Sequence, residues 1–159
     1  MMAALEIKKY PAPSLKAQAR DIAKITDEER GQLRDMADTM YLNQGVGLAA
    51  TQVGIDKQLA VIDVGEGLMN LVNPVILRRS GWESMEEGCL SVPGIQVKVR
   101  RARRIRVRAM NEKGERMTFE AMGLFARAIQ HEVDHLRGKL IIDYLNPIKR
   151  FLVLRRGKE

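Results

Sequence analysis

Apolar positions along the chain keep two rhythms, and the changes between them mark its elements. Leu33, Met36, Ala37, Met40 and Tyr41 recur at helical spacing. They follow Thr26-Asp27-Glu28-Glu29, which reads as a capping box with Thr26 as N-cap and Glu29 at N3, and Asn43-Gln44-Gly45 ends that helix. Leu59 to Val64 and Leu68 to Leu77 read as strands, and Asn73-Pro74 marks an edge or a bulge in the second. Val97, Val99, Ile105, Val107 and Ala109 then alternate with Lys and Arg, as antiparallel strands with one wet face do. Asn111-Glu112-Lys113-Gly114 forms a turn, and Met117 to Glu120 a short return strand. Helical spacing returns in Leu124, Phe125, Ala128, Ile129, Val133 and Leu136, which predicts a helix from about Gly123 to Arg137 with Gly138 as its C′ residue. Pro147 opens a last short helix. Strand clusters between a few separated helices give an α+β class.

Composition narrows this only a little. A chain of 159 residues reads as one domain, 1–159, with enough core to need no disulfide staples, and its single cysteine excludes an intramolecular disulfide and fits a reducing cytoplasm. No apolar run approaches the roughly 20 residues of a membrane span, and Met1 to Lys9 shows no secretory h-region. The net charge of +7 calls for an anionic partner, although the clusters from Lys98 to Arg108 and after Lys149 each read first as solvated faces.

The chemistry concentrates in Gln130-His131-Glu132-Val133-Asp134-His135-Leu136, which contains both histidines of the chain. Residues four apart on a helix share a face, so the two imidazoles can share one metal ion, and Glu132 occupies the usual place of a general base. Either a chance His-x-x-x-His or a lone cysteine is unremarkable by itself. Together they make Cys89 the candidate third ligand, and two His with one Cys leave a tetrahedral position open for water, as in catalytic sites. Gln130 and Asp134 are candidate acceptors for the far imidazole nitrogens, with an exposed Asp134 paired to Arg137 or Arg127 as the alternative. The run from Gly45 to Gly54 is small and apolar, contains no Lys to reach phosphates and matches neither nucleotide fingerprint, so no nucleotide cofactor is expected; by itself it reads as a tight packing turn.

Two rival readings compete with a metallohydrolase. A zinc endopeptidase shares His-Glu-x-x-His but explains neither the Gly45–Ala50 run nor Cys89 as a ligand. A basic nucleic-acid-binding module with a structural metal draws on Arg100, Arg101, Arg103, Arg104, Arg106 and Arg108, yet only 4% of the chain is aromatic and only three ligands are evident.

Gly45-Val46-Gly47-Leu48-Ala49-Ala50-Thr51-Gln52, Glu87-Gly88-Cys89-Leu90-Ser91 and Gln130-His131-Glu132-Val133-Asp134-His135 together resemble the three motifs of the peptide deformylase family, in order and at similar separations. Tyr10-Pro11 and Asn73-Pro74 extend the resemblance over nearly the whole chain. It implies antiparallel sheets packed around a central metal helix, and removal of the formyl group from N-formylmethionyl nascent peptides in a bacterial cytoplasm or an organelle. It implies Cys89, His131 and His135 as ligands of one divalent ion, Fe²⁺ first and Zn²⁺, Ni²⁺ or Co²⁺ as alternatives. It further implies Glu132 as acid/base, Gln52 and the Leu90 N–H as donors to the formyl oxygen, and Val46, Gly47, Gly88, Leu90 and Ala128 around the methionine side chain. Met122 stands where the family usually has an acidic residue, and Ala12 and Ser14 where Asp and Arg are common. A deformylase meets its substrate at the ribosome, so the tail from Lys149 to Lys158 is a candidate contact, with Phe151 to Leu154 docked inward and the cations outward; a solvated terminus is the alternative.

Overall fold

The computed structural model describes residues 4–156. Helix α1 (Asp27–Leu42) opens on the expected capping box: Thr26 Oγ1 accepts from the Glu28 N–H, and the Glu29 carboxylate accepts from the Thr26 N–H at 2.9 Å and from its hydroxyl. Asn43 caps its end, and Gln44 turns the chain away with φ 57°. Strand β1 (Gly47–Ala49) and a 3₁₀ turn at Ala50–Val53 follow, then β2 (Leu59–Ile62), β3 (Met69–Cys89), β4 (Val92–Met110) and β5 (Arg116–Met122). These five strands form one antiparallel sheet in chain order.

Strand β2 is buried on both faces and splits its side chains by period two. Leu59 and Val61 pack with Leu33, Met36 and Met40 of α1. Ala60 and Ile62 pack with Ala126, Ile129, Val133 and Leu136 of helix α2 (Gly123–Leu136), joined there by Ile105, Val107 and Ala109 of β4. Each fully buried Leu or Ile contributes about 1.5–3 kcal/mol, so α2 is held along its length by the sheet. A third cluster, with Leu15, Val92, Val97, Val99 and Leu140 to Ile142, packs under the turn that joins β3 to β4.

The β3–β4 ribbon departs from expectation. Alternation predicts a strand ending near Leu77, whereas β3 runs on to Cys89; every residue from Leu77 to Glu86 is exposed, so the pattern that identifies a half-buried strand is missing there. The interruption at Asn73-Pro74 is a bulge: register shifts between Val72 and Val75, Asn73 takes φ 51°, and its side chain bonds both the N–H and the C=O of Ile22.

Helix α2 ends as expected. The Gly138 N–H bonds the His135 carbonyl and the Lys139 N–H bonds the Asp134 carbonyl, a Schellman motif with Gly138 at φ 78°. Beyond a 3₁₀ turn at Ile141–Tyr144, α3 (Pro147–Arg156) corrects the expected tail. Phe151 and Leu152 are exposed rather than docked, while Leu154 packs on the third cluster. Arg150 is ion-paired with Asp143 at 3.2 Å. Lys158 lies outside the described residues. Among the described residues no helix is long and apolar enough to cross a membrane.

Candidate active site

The site forms where the tip of the ribbon meets α2. Cys89 is the last residue of β3, and His131 and His135 rise one turn apart on α2. Cys89 Sγ lies 3.2 Å from His135 Nε2, which lies 3.2 Å from His131 Nε2. All three donor atoms fall within 4.8 Å of one another. A thiolate and two imidazoles suit a borderline-soft divalent metal ion.

Glu132 supports the same fit. Its side chain is buried beside the donors, and its Oε1 has no hydrogen-bond partner in the protein. Burial pushes its carboxyl up to about 7, against the opposing pull of the Arg101 charge. Gly47 makes the room: a Cβ there would overlap the Glu132 carboxylate. Smallness at Gly47 is therefore a requirement of the neighbouring helix.

Gln52 is held at both ends of its amide. Its Oε1 accepts from the Ala49 N–H at 2.9 Å, and its Nε2 donates to Ser91 Oγ at 3.1 Å while lying 3.7 Å from Cys89 Sγ. Leu90 and Ser91 form the two-residue turn joining β3 to β4. A cleft of about 650 Å³ opens here, and its lining includes Gln52, Cys89, His131 and Glu132 together with Val46, Gly47, Gly88, Leu90 and Ala128. Every site residue expected from sequence thus borders this cleft except His135, which lies behind it, fully buried.

The residues expected to orient the imidazoles are different ones. Gln130 instead clamps β4, its Oε1 accepting from the Ala102 N–H at 3.0 Å and its Nε2 donating to the Ala102 carbonyl at 2.8 Å. Asp134 pairs with neither Arg137 nor Arg127; it accepts from Arg101 at 2.8 Å and from the Tyr144 hydroxyl at 2.6 Å. The partner of His131 Nδ1 is Glu87, at 2.9 Å. Glu87 also accepts two bonds from Arg101, at 2.6 and 2.9 Å, and one from Arg127 at 2.6 Å. Burial works against its charge, but the bonds from His131 and Arg101 bring its carboxyl down to about 2. A period-two reading of Glu87 and Cys89 places them on one face of a strand, which is the sequence signal that would have found it.

A buried carboxylate beside one cysteine sulfur and two imidazoles, in a cleft with an apolar wall, is the arrangement of a metal-dependent hydrolase. The family model for polypeptide deformylase matches residues 4–151, and the chain belongs to that family. It is 47% identical over 152 residues to a peptide deformylase of Pseudoalteromonas translucida, covering 94% of this chain and 91% of the relative. It is 48% identical over 149 residues to one from Carboxydothermus hydrogenoformans, covering 94% and 98%. Among solved structures, a peptide deformylase from Ehrlichia chaffeensis in complex with actinonin superposes with a TM-score of 0.95 at 35% identity, covering 99% of this chain and 97% of that one. One from Synechococcus elongatus, also with actinonin, gives 0.92 at 39% identity, covering 98% and 87%.

Proposed function

We propose that Cys89, His131 and His135 hold one divalent ion, Fe²⁺ ahead of Zn²⁺, Ni²⁺ or Co²⁺, and that Glu132 moves the protons of the deformylase reaction. Members of this family remove the formyl group from N-formylmethionyl chains and release formate, and that is the reaction of this chain. The observation that carries the residue roles is Glu132: a buried carboxylate with a free oxygen, held against the donor cluster through the gap left by Gly47.

When bound, the ion supplies Lewis-acid chemistry and makes water acidic near neutral pH. Glu132 takes a proton from the attacking water and returns one to the departing amine nitrogen. Gln52 Nε2 and the Leu90 N–H donate to the formyl oxygen as charge develops on it. Val46, Gly47, Gly88, Leu90 and Ala128 enclose the methionine side chain. Glu87 orients His131 and favours its Nδ1 proton, leaving Nε2 for the ion. A reducing cytoplasm suits a lone thiolate ligand, which oxidation would remove. The cations of α3 reach ribosomal phosphate through Lys149, Arg155 and Arg156, since Arg150 is already paired.

Formate release from a formyl-methionyl dipeptide tests the reading. Glu132→Gln keeps its metal and loses about 10²–10⁴-fold in turnover, whereas Cys89→Ala loses metal as well. A fully metallated Glu132→Gln enzyme with most of its activity would sink the assignment of roles.

A further inference from the structure

Strand β4 presents a second feature that the reaction does not use. Ile105, Val107 and Ala109 point into the core against α2, so Arg104, Arg106 and Arg108 between them point out on the opposite face. In register, Arg106 stands directly beside Arg78 of β3 on one side and Glu120 of β5 on the other, while Arg104 is flanked by Ser80 and Met122 and Arg108 by Val75 and Thr118. Among the described residues none of these four arginines forms a salt bridge, even with Glu120, and their one side-chain hydrogen bond runs from Arg104 to the sulfur of Met122 at 3.6 Å. Arg78 opposite Arg106 is a like-charge pair, which destabilises a sheet, and Glu120 is the one acidic neighbour in register with the row.

We propose that the outer face of β3, β4 and β5 is a docking surface for the phosphate backbone of RNA. Three arginines at alternate positions of one strand have their Cα atoms about 6.6 Å apart, a linear arrangement that suits a polymer of phosphates better than the diffuse charge of a lipid surface. Each guanidinium forms a planar fork that grips phosphate through two bonds. With aromatic residues scarce, contact runs along the backbone and not through stacked bases. None of these residues lines the catalytic cleft, so that cleft stays open when the face is occupied. The choice of RNA over other polyanions rests on the proposed function, because nascent chains emerge from an RNA-rich particle.

The test measures binding of the metal-loaded full chain to a fluorescent twenty-nucleotide oligouridine over a salt series, with vesicles containing one-third anionic phospholipid as a parallel probe. Replacing Arg104, Arg106 and Arg108 together with Ser should weaken RNA binding at least about tenfold and flatten the salt slope by about two units, while formate release from the dipeptide is unchanged. The paired variant Arg78→Ser with Arg106→Ser reads the same surface if the triple variant does not fold. Unchanged affinity and slope in the folded variants, or tighter binding of the wild type to vesicles than to RNA, overturns the proposal. Loss of dipeptide activity in the wild type would instead strike the proposed function.

Discussion

Arg101 and Arg106 stand on the same strand in the same basic run, and they lead opposite lives. Arg101 is 3% exposed and is bonded to Glu87, Asp134 and Tyr144. Arg106 is exposed, faces another arginine and has no ion pair among the described residues. The first lies on the side of β4 that carries Val97, Val99, Ile105 and Val107, the second on the side that meets water. A buried guanidinium must be satisfied by carboxylates, and here one of those carboxylates, Glu87, also bonds His131 Nδ1. Two arginines five residues apart thus divide the strand into a face that serves the site and a face left charged.

The largest effect expected from this division is on stability. Arg101→Met leaves Glu87 buried with less compensation and should cost about 3 kcal/mol, the low end for a broken buried pair because Arg127 remains. Arg106→Met should stay within about 0.5 kcal/mol. Urea unfolding of both variants decides it, and equal costs would erase the distinction. Gly47→Ala sharpens the same point inside the cleft. The added methyl displaces the Glu132 carboxylate, so kcat should fall on the order of 10²-fold with metal content unchanged.

A smaller effect is expected at Glu29, a satisfied carboxylate far from the cleft. Its bonds from Thr26, opposed by burial, bring its carboxyl down from 4.5 to about 2. The lowered value means that its contribution is present above pH about 4.5 and is lost as pH falls towards 2. Thr26→Ala should therefore cost about 1 kcal/mol at pH 7 and less at pH 3, as thermal unfolding of the metal-free proteins would show. The smallest effect concerns Met122, which precedes α2 with no side-chain cap and touches Arg104. Met122→Asp supplies both a cap and a counter-charge and should stabilise by about 0.3–1 kcal/mol, less at high salt.

Much of this was legible before any coordinates. The capping box at Thr26, the metal helix and its Gly138 terminus, and the break at Asn73-Pro74 all follow from residues that act on near neighbours. The extension of β3 to Cys89 was hidden because both of its faces are wet, so no alternation marks it. The orientation of His131 was misread because helical spacing identifies neighbours along α2 only, and its acceptor comes from a different element. The place of Arg101 was available from the parity of Val97 and Val99, but composition grouped it with the exposed arginines around it.

The position of Cys89 at the tip of the ribbon has a consequence for the order in which the molecule assembles. The contacts that build the centre are distant in the chain: 46 residues separate Cys89 from His135, 44 separate Glu87 from His131, and 37 separate Gln52 from Cys89. Such contacts form late, after helices and local turns. A growing chain that has completed β3 offers one cysteine sulfur and no imidazole, and α2 by itself offers two imidazoles and no sulfur ligand. With Cys89, His131 and His135 as the proposed ligands, tight capture of an ion would wait until the ribbon has zipped into register and α2 has docked on the sheet. On the proposed ligand set, metal uptake would report the end of folding, and an interrupted chain would be left unable to compete for the ion.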